Sequence, residues 1–181
     1  MKLAILGWGS LIWDPGNLQI KGPWRDDGPF LPIEFARVSG DGRLTLVLYL
    51  GTDTVQTLWA LSAYEDLNQA KENLRERERT SMERIGYILI LENDSNCRAV
   101  PQVLDYIRQW AVVKGLDAVI WTDLQANFKD KTKMELNAEN VTAYLNSLTG
   151  VTREKAVTYI KMAPSQVETK LKKKIEIAVG N

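Results

Sequence analysis

Apolar positions along the chain change their period several times, and each change marks an element. Lys2–Leu6, apolar after its first residue, reads as a buried strand ending in the glycine turn Gly7-Trp8-Gly9-Ser10. Leu31–Ser39 and Leu44–Leu50 are apolar runs joined by Gly40-Asp41-Gly42. That spacing predicts a hairpin, because glycine accepts the positive φ of a tight turn. Gln56–Ala63 continues as a strand. Between Glu65 and Glu78 the period lengthens, with Leu67, Ala70 and Leu74 at helical spacing, and Arg84–Leu91 returns to strand character. Beyond Pro101 an amphipathic helix is expected to about Lys114, closed by Gly115. Ala118–Thr122 is a short strand. Ala138–Leu148 and Thr152–Ala163 are expected helices separated by Gly150, with Asn137 and Thr152 as N-caps. Pro164 interrupts the pattern, and a last helix is expected over Val167–Ile175.

This order predicts an α+β fold in a single domain over residues 1–181. A β-rich front half carries one inserted helix, and a helical part follows from about residue 138 to 178. The composition agrees, at 45% hydrophobic and 25% charged over 181 residues, enough for a full core. The longest apolar runs have strand length, so a membrane span is not expected and a cytoplasmic location is.

Charge and rare residues narrow the chemistry. The 23 Lys and Arg balance the 23 Asp and Glu, so no global field favours nucleic acid or an anionic membrane. Lys172-Lys173-Lys174 has no interleaved aromatic and reads as the solvated basic end of a terminal helix. Histidine is absent, which removes Ser-His-Asp and Cys-His engines and helical zinc sites. The one cysteine, Cys97, cannot form an internal disulfide or a four-thiolate metal site. Proton transfers would fall to Asp, Glu, Lys, Tyr or water.

Gly7-Trp8-Gly9-Ser10-Leu11-Ile12 puts Ile12 where a dinucleotide fingerprint needs its last glycine, and no Gly-Lys-Ser/Thr follows for a phosphate loop of the Walker type. Two readings stay open for it. One is a tight turn with Trp8 and Trp13 in the core. The other is an anion-binding loop whose backbone N–H groups converge on a carboxylate or phosphate, with Ser10 adding a hydroxyl.

A second candidate lies on the inserted helix. At roughly 100° per residue, Glu78 falls about 20° from Leu67, on the rim of the apolar stripe that holds Leu74, whereas Glu76 falls on the opposite face. A partly buried glutamate can act as acid and base near neutral pH. The same stretch also fits a surface helix end in which Arg75, Arg77 and Arg79 pair with Glu76, Glu78 and Glu83.

Ala4-Ile5-Leu6-Gly7-Trp8-Gly9-Ser10-Leu11-Ile12-Trp13 resembles the opening of the gamma-glutamyl cyclotransferase-like family, particularly its ChaC-type branch. That branch begins with a strand followed by Gly-Tyr-Gly-Ser-Leu-Ile-Trp, and Trp8 here replaces the motif tyrosine. Leu74, Arg77 and Glu78 match a second family motif, a helix ending in Leu-x-x-Arg-Glu. The resemblance implies a small mixed β-barrel or sheet with an inserted helix and C-terminal helices. It also implies a cofactor-independent, metal-free cleavage of gamma-glutamyl compounds to 5-oxoproline and a free amine or peptide. Glu78 would be the acid/base, with Glu83 before Gly86-Tyr87 as runner-up, and Gly7, Trp8, Gly9, Ser10 and Leu11 would bind the small-molecule substrate. A non-catalytic small-molecule binding or interaction domain of the same fold is the alternative.

Overall fold

The first strand, β1 (Leu3–Gly7), is buried along its whole length. Its side chains alternate between two faces, as a pleated strand requires. Leu3 and Ile5 enter one hydrophobic cluster, and Ala4 and Leu6 the other. The structure, a computed structural model, describes residues 1–92 and 94–180, with side chains to residue 177. Of the expected domain over residues 1–181, Asn93 and Asn181 lie outside the described residues.

After β1 come β2 (Ile20–Arg25), β3 (Phe30–Val38), β4 (Leu44–Leu48), β5 (Thr54–Gln56) and β6 (Leu58–Ser62). Helix α1 (Leu67–Glu78) leads to β7 (Ile85–Leu89) and β8 (Ser95–Asn96), and α2 (Leu104–Val113) to β9 (Ala118–Thr122). The chain ends in α3 (Phe128–Thr132), α4 (Ala138–Ser147), α5 (Gly150–Met162) and α6 (Lys172–Gly180). The expected α+β class is what forms. The strands make a six-stranded sheet in the order β2-β6-β1-β9-β7-β8 and a three-stranded sheet in the order β4-β3-β5. In the larger sheet β1 runs antiparallel to β6 and parallel to β9.

Among the described residues the sheets do not close into a barrel. Closure into one barrel would need both β2 and β8 to pair with edges of the smaller sheet. Pro23 denies β2 one backbone donor, and β8 is two residues long. The strand expected over Gln56–Ala63 is instead two strands in different sheets. The break is at Thr57, whose N–H and hydroxyl both donate to the Pro29 carbonyl, at 3.2 and 2.8 Å.

Helix α1 begins at Asp66, whose carboxylate accepts the Gln69 N–H at 2.9 Å, and ends at Arg79 in the left-handed region. Ala70 and Leu74 pack it onto Leu3, Ile5 and Ile120, as the spacing predicts. The hairpin forms as expected from β3 and β4, turning through Gly42 at φ +83°. Gly115, at φ +60°, follows α2, and the Asn137 side chain caps α4 by accepting from the Asn140 N–H.

Other expectations need correction. Gly150 opens α5 instead of separating helices, and the N-cap position is Thr149, not Thr152. The last helix begins at Lys172 and not at Val167, because the buried Glu34 carboxylate of β3 accepts the Thr169 hydroxyl (2.5 Å) and the Leu171 N–H (3.3 Å). Those bonds hold the preceding segment in a non-helical course. Lys172 is buried, not solvated, and its ammonium donates to the carbonyls of Ala163 (3.1 Å) and Pro164 (2.8 Å). Burial pulls its pKa down; Lys173 and Lys174 stay exposed. Among the described residues no helix is long and apolar enough to cross a membrane.

Candidate functional site

A cleft of about 730 Å³ opens where β1 ends. Its walls come from the loop Gly7–Leu11, the last turn of α1, the β3–β4 hairpin and Tyr159 of α5. The packing of α1 against β9 and β7 is therefore what sets Glu78 in the same cleft as the glycine loop.

The loop makes one helix-like turn, in which the Ile12 N–H donates to the Gly9 carbonyl (3.0 Å) and the Asp14 N–H to the Ser10 carbonyl (2.9 Å). That leaves the N–H groups of Gly9, Ser10 and Leu11 without an acceptor among the described residues. Open donors at the start of a turn attract negative charge. Trp8 is buried, and its indole N–H donates to the Leu46 carbonyl at 3.3 Å. The Leu46 N–H in turn donates to the Tyr159 hydroxyl oxygen at 3.4 Å, so one β4 residue anchors both aromatics. Trp13 meets Tyr159 edge-on at 5.2 Å. Gly9 is a packing requirement, since a Cβ there would stand 2.5 Å from the Tyr159 hydroxyl oxygen.

Glu78 closes α1, with its side chain 14% exposed. One carboxylate oxygen, Oε1, accepts from Arg77 Nη1 at 2.5 Å, and Oε2 has no partner among the described residues. Arg77 Nη2 donates to the Ser10 hydroxyl at 3.3 Å and to the Asp14 carbonyl. A single guanidinium thus ties helix, loop and carboxylate together. Burial pushes the Glu78 carboxyl above the usual carboxylate range, and Arg77 opposes that shift without cancelling it. Burial likewise pushes the Tyr159 phenol up to about 12, with the charge of Glu78 adding to it, so Tyr159 remains a neutral donor.

The five loop residues and Glu78 come together in this cleft; Glu83 does not. Glu83 lies in the 3-10 turn Met82–Arg84, its side chain 78% exposed and paired with Arg98 at 3.3 Å. Tyr159, Arg37, Arg43 and Thr45 also line the cleft, and none was singled out from sequence. Tyr159 shares an apolar helical stripe with Ala156 and Ile160, which reads simply as core. Cys97 is buried away from the cleft wall, its thiol pushed up to about 12 by burial and the neighbouring Asp123. Among the described residues no group of three or more Cys, Asp or Glu side chains is placed to hold a metal ion.

No model of a known protein family matches the chain, and neither a curated protein nor a solved structure is found that resembles it.

Proposed function

We propose that the protein is a cyclotransferase-like enzyme that cleaves gamma-glutamyl compounds to 5-oxoproline and a free amine or peptide. One observation carries this reading. A half-buried carboxylate with an open oxygen, Glu78 Oε2, lines the same cleft as three open backbone donors, Gly9–Leu11. The residues come from separate stretches of chain, and each supplies something that intramolecular cyclisation needs.

In the reaction the substrate's α-amine nitrogen forms a bond to its own γ-carbonyl carbon, and the bond from that carbon to the leaving nitrogen breaks. No water is consumed. Holding the substrate folded back supplies on the order of 7 kcal/mol or more, without a protein nucleophile. Glu78 would take a proton from the α-ammonium and return one to the leaving nitrogen, a role favoured by its raised pKa. The N–H groups of Gly9–Leu11 would hold the α-carboxylate or the developing oxyanion. Trp8 and Trp13 wall the cleft and lower the local dielectric, which strengthens both interactions. The setting proposed is the cytoplasm, with a small-molecule substrate and no cofactor.

The second reading, a non-catalytic binding domain, draws on the Arg77–Glu78 ion pair, which occupies one carboxylate oxygen at rest. Incubating the protein with gamma-glutamyl dipeptides, gamma-glutamyl amines and glutathione separates the two. Release of 5-oxoproline is expected. Binding of these compounds without product would leave the binding-domain reading.

A further inference from the structure

Besides Arg77, three arginines line the cleft: Arg37, Arg43 and Arg79. Their surroundings differ. Arg43 is neutralised by Asp41, at 2.9 Å. Arg79 is exposed, so water screens its charge. Arg37, on β3, is partly buried and forms no ion pair among the described residues. Its Nη1 donates to the Gln125 carbonyl at 2.7 Å. The charged group that weighs on it is a second guanidinium, Arg84, and burial and this repulsion both pull its pKa down. A guanidinium stays charged in any protein, so the site carries an uncompensated positive charge. Thr122 of β9 also lines the cleft, and its buried hydroxyl makes no hydrogen bond among the described residues. A guanidinium without an ion pair and a hydroxyl without a hydrogen bond, lining one cleft, both lack a partner among the described residues.

We propose that Arg37 and Thr122 form a second anion subsite, which takes a carboxylate on the departing half of the substrate. The assignment rests on the cyclotransferase-like reading, in which the glycine loop already holds the other end. Arg37 is then a specificity residue. It selects gamma-glutamyl amino acids and peptides over gamma-glutamyl amines, whose departing half carries no anion. A planar guanidinium suits a carboxylate because it can donate two parallel N–H bonds.

The test uses two ligands that differ only by the carboxylate in question, gamma-glutamylalanine and gamma-glutamylethylamine. Their affinities are measured by calorimetry on the Glu78→Gln protein, where turnover is suppressed, and 5-oxoproline is measured separately on wild type. The alanine compound is expected to bind roughly tenfold to hundredfold more tightly, the range of a charge-assisted hydrogen bond. Adding Arg37→Gln should remove that advantage and leave the ethylamine compound within about twofold, so its retained binding also reports an intact fold. Thr122→Val, which keeps the guanidinium, should cost only the alanine compound, by a few-fold, and serves if the Arg37 variant does not fold. Equal affinities for the two ligands, or equal losses on substitution, overturn the subsite. A preference in binding without product from wild type keeps the subsite and removes the reaction. Failure of folded protein to bind either compound overturns both.

Discussion

Two glutamates, the buried Glu34 and the half-buried Glu78, stand in regions built on opposite plans. Around Glu34 both carboxylate oxygens are satisfied. Its Oε1 accepts from the Phe35 N–H (2.8 Å) and the Thr169 hydroxyl (2.5 Å), and its Oε2 from the Thr52 hydroxyl and the Leu171 N–H, both at 3.3 Å. The carboxylate joins β3 to the segment before α6. Around Glu78 the bonding is unfinished. One oxygen is paired and the other open, the facing loop has three idle N–H groups, and a cleft separates the two. Buried polar groups are normally satisfied within a fold. A region where several are left open together is prepared for something from outside, whereas the Glu34 region is complete in itself.

That contrast makes the first prediction one of stability alone. Glu34→Ala strands four donors and is expected to cost roughly 3 kcal/mol or more, read from urea denaturation. It should loosen α6 ahead of the rest, visible as early hydrogen exchange. A loss below about 1 kcal/mol would erase the distinction between the two glutamates.

Arg77→Gln sharpens the other half of the comparison. Burial raises the Glu78 pKa and Arg77 lowers it, so removing the guanidinium leaves burial unopposed and the pKa moves up. The acid limb of kcat/KM should shift to higher pH, with a rate loss of up to roughly tenfold at neutral pH. An unshifted limb would remove Glu78 from the titration. The same upward shift fixes the sign of the stability effect. Its contribution is fully present below the unfolded pKa and is lost as pH rises through the folded one. Glu78→Gln should abolish that decline. The smallest expected effect is at Cys97. With a thiol held near 12 and buried, the folded protein should not react with a disulfide reagent at pH 8, and one thiol should appear in urea.

Strands and helices were legible in the sequence where periodicity had only one partner to satisfy. The stripe of Leu67, Ala70 and Leu74 placed α1 and set Glu78 on its buried edge. Glycine spacing placed the β3–β4 hairpin and the loop after β1. What escaped depends on contacts distant in sequence. Strand β2, with Gly22 and Pro23 inside it, is a strand only because β6 pairs with it. The start of α6 is set by Glu34, more than a hundred positions earlier. Arg37 and Tyr159 look like ordinary strand and core residues until the cleft forms around them. Trp8 illustrates the same limit, since only the fold gives its indole N–H the Leu46 carbonyl as acceptor.

Glu78 and the glycine loop are proposed to work as one catalytic site. The most direct measurement is 5-oxoproline release from a gamma-glutamyl dipeptide at neutral pH by wild type and by Glu78→Gln, with circular dichroism on both. Wild type is expected to release product, and the fully folded variant to lose roughly a hundredfold or more of that rate. Equal release by the two proteins would contradict it.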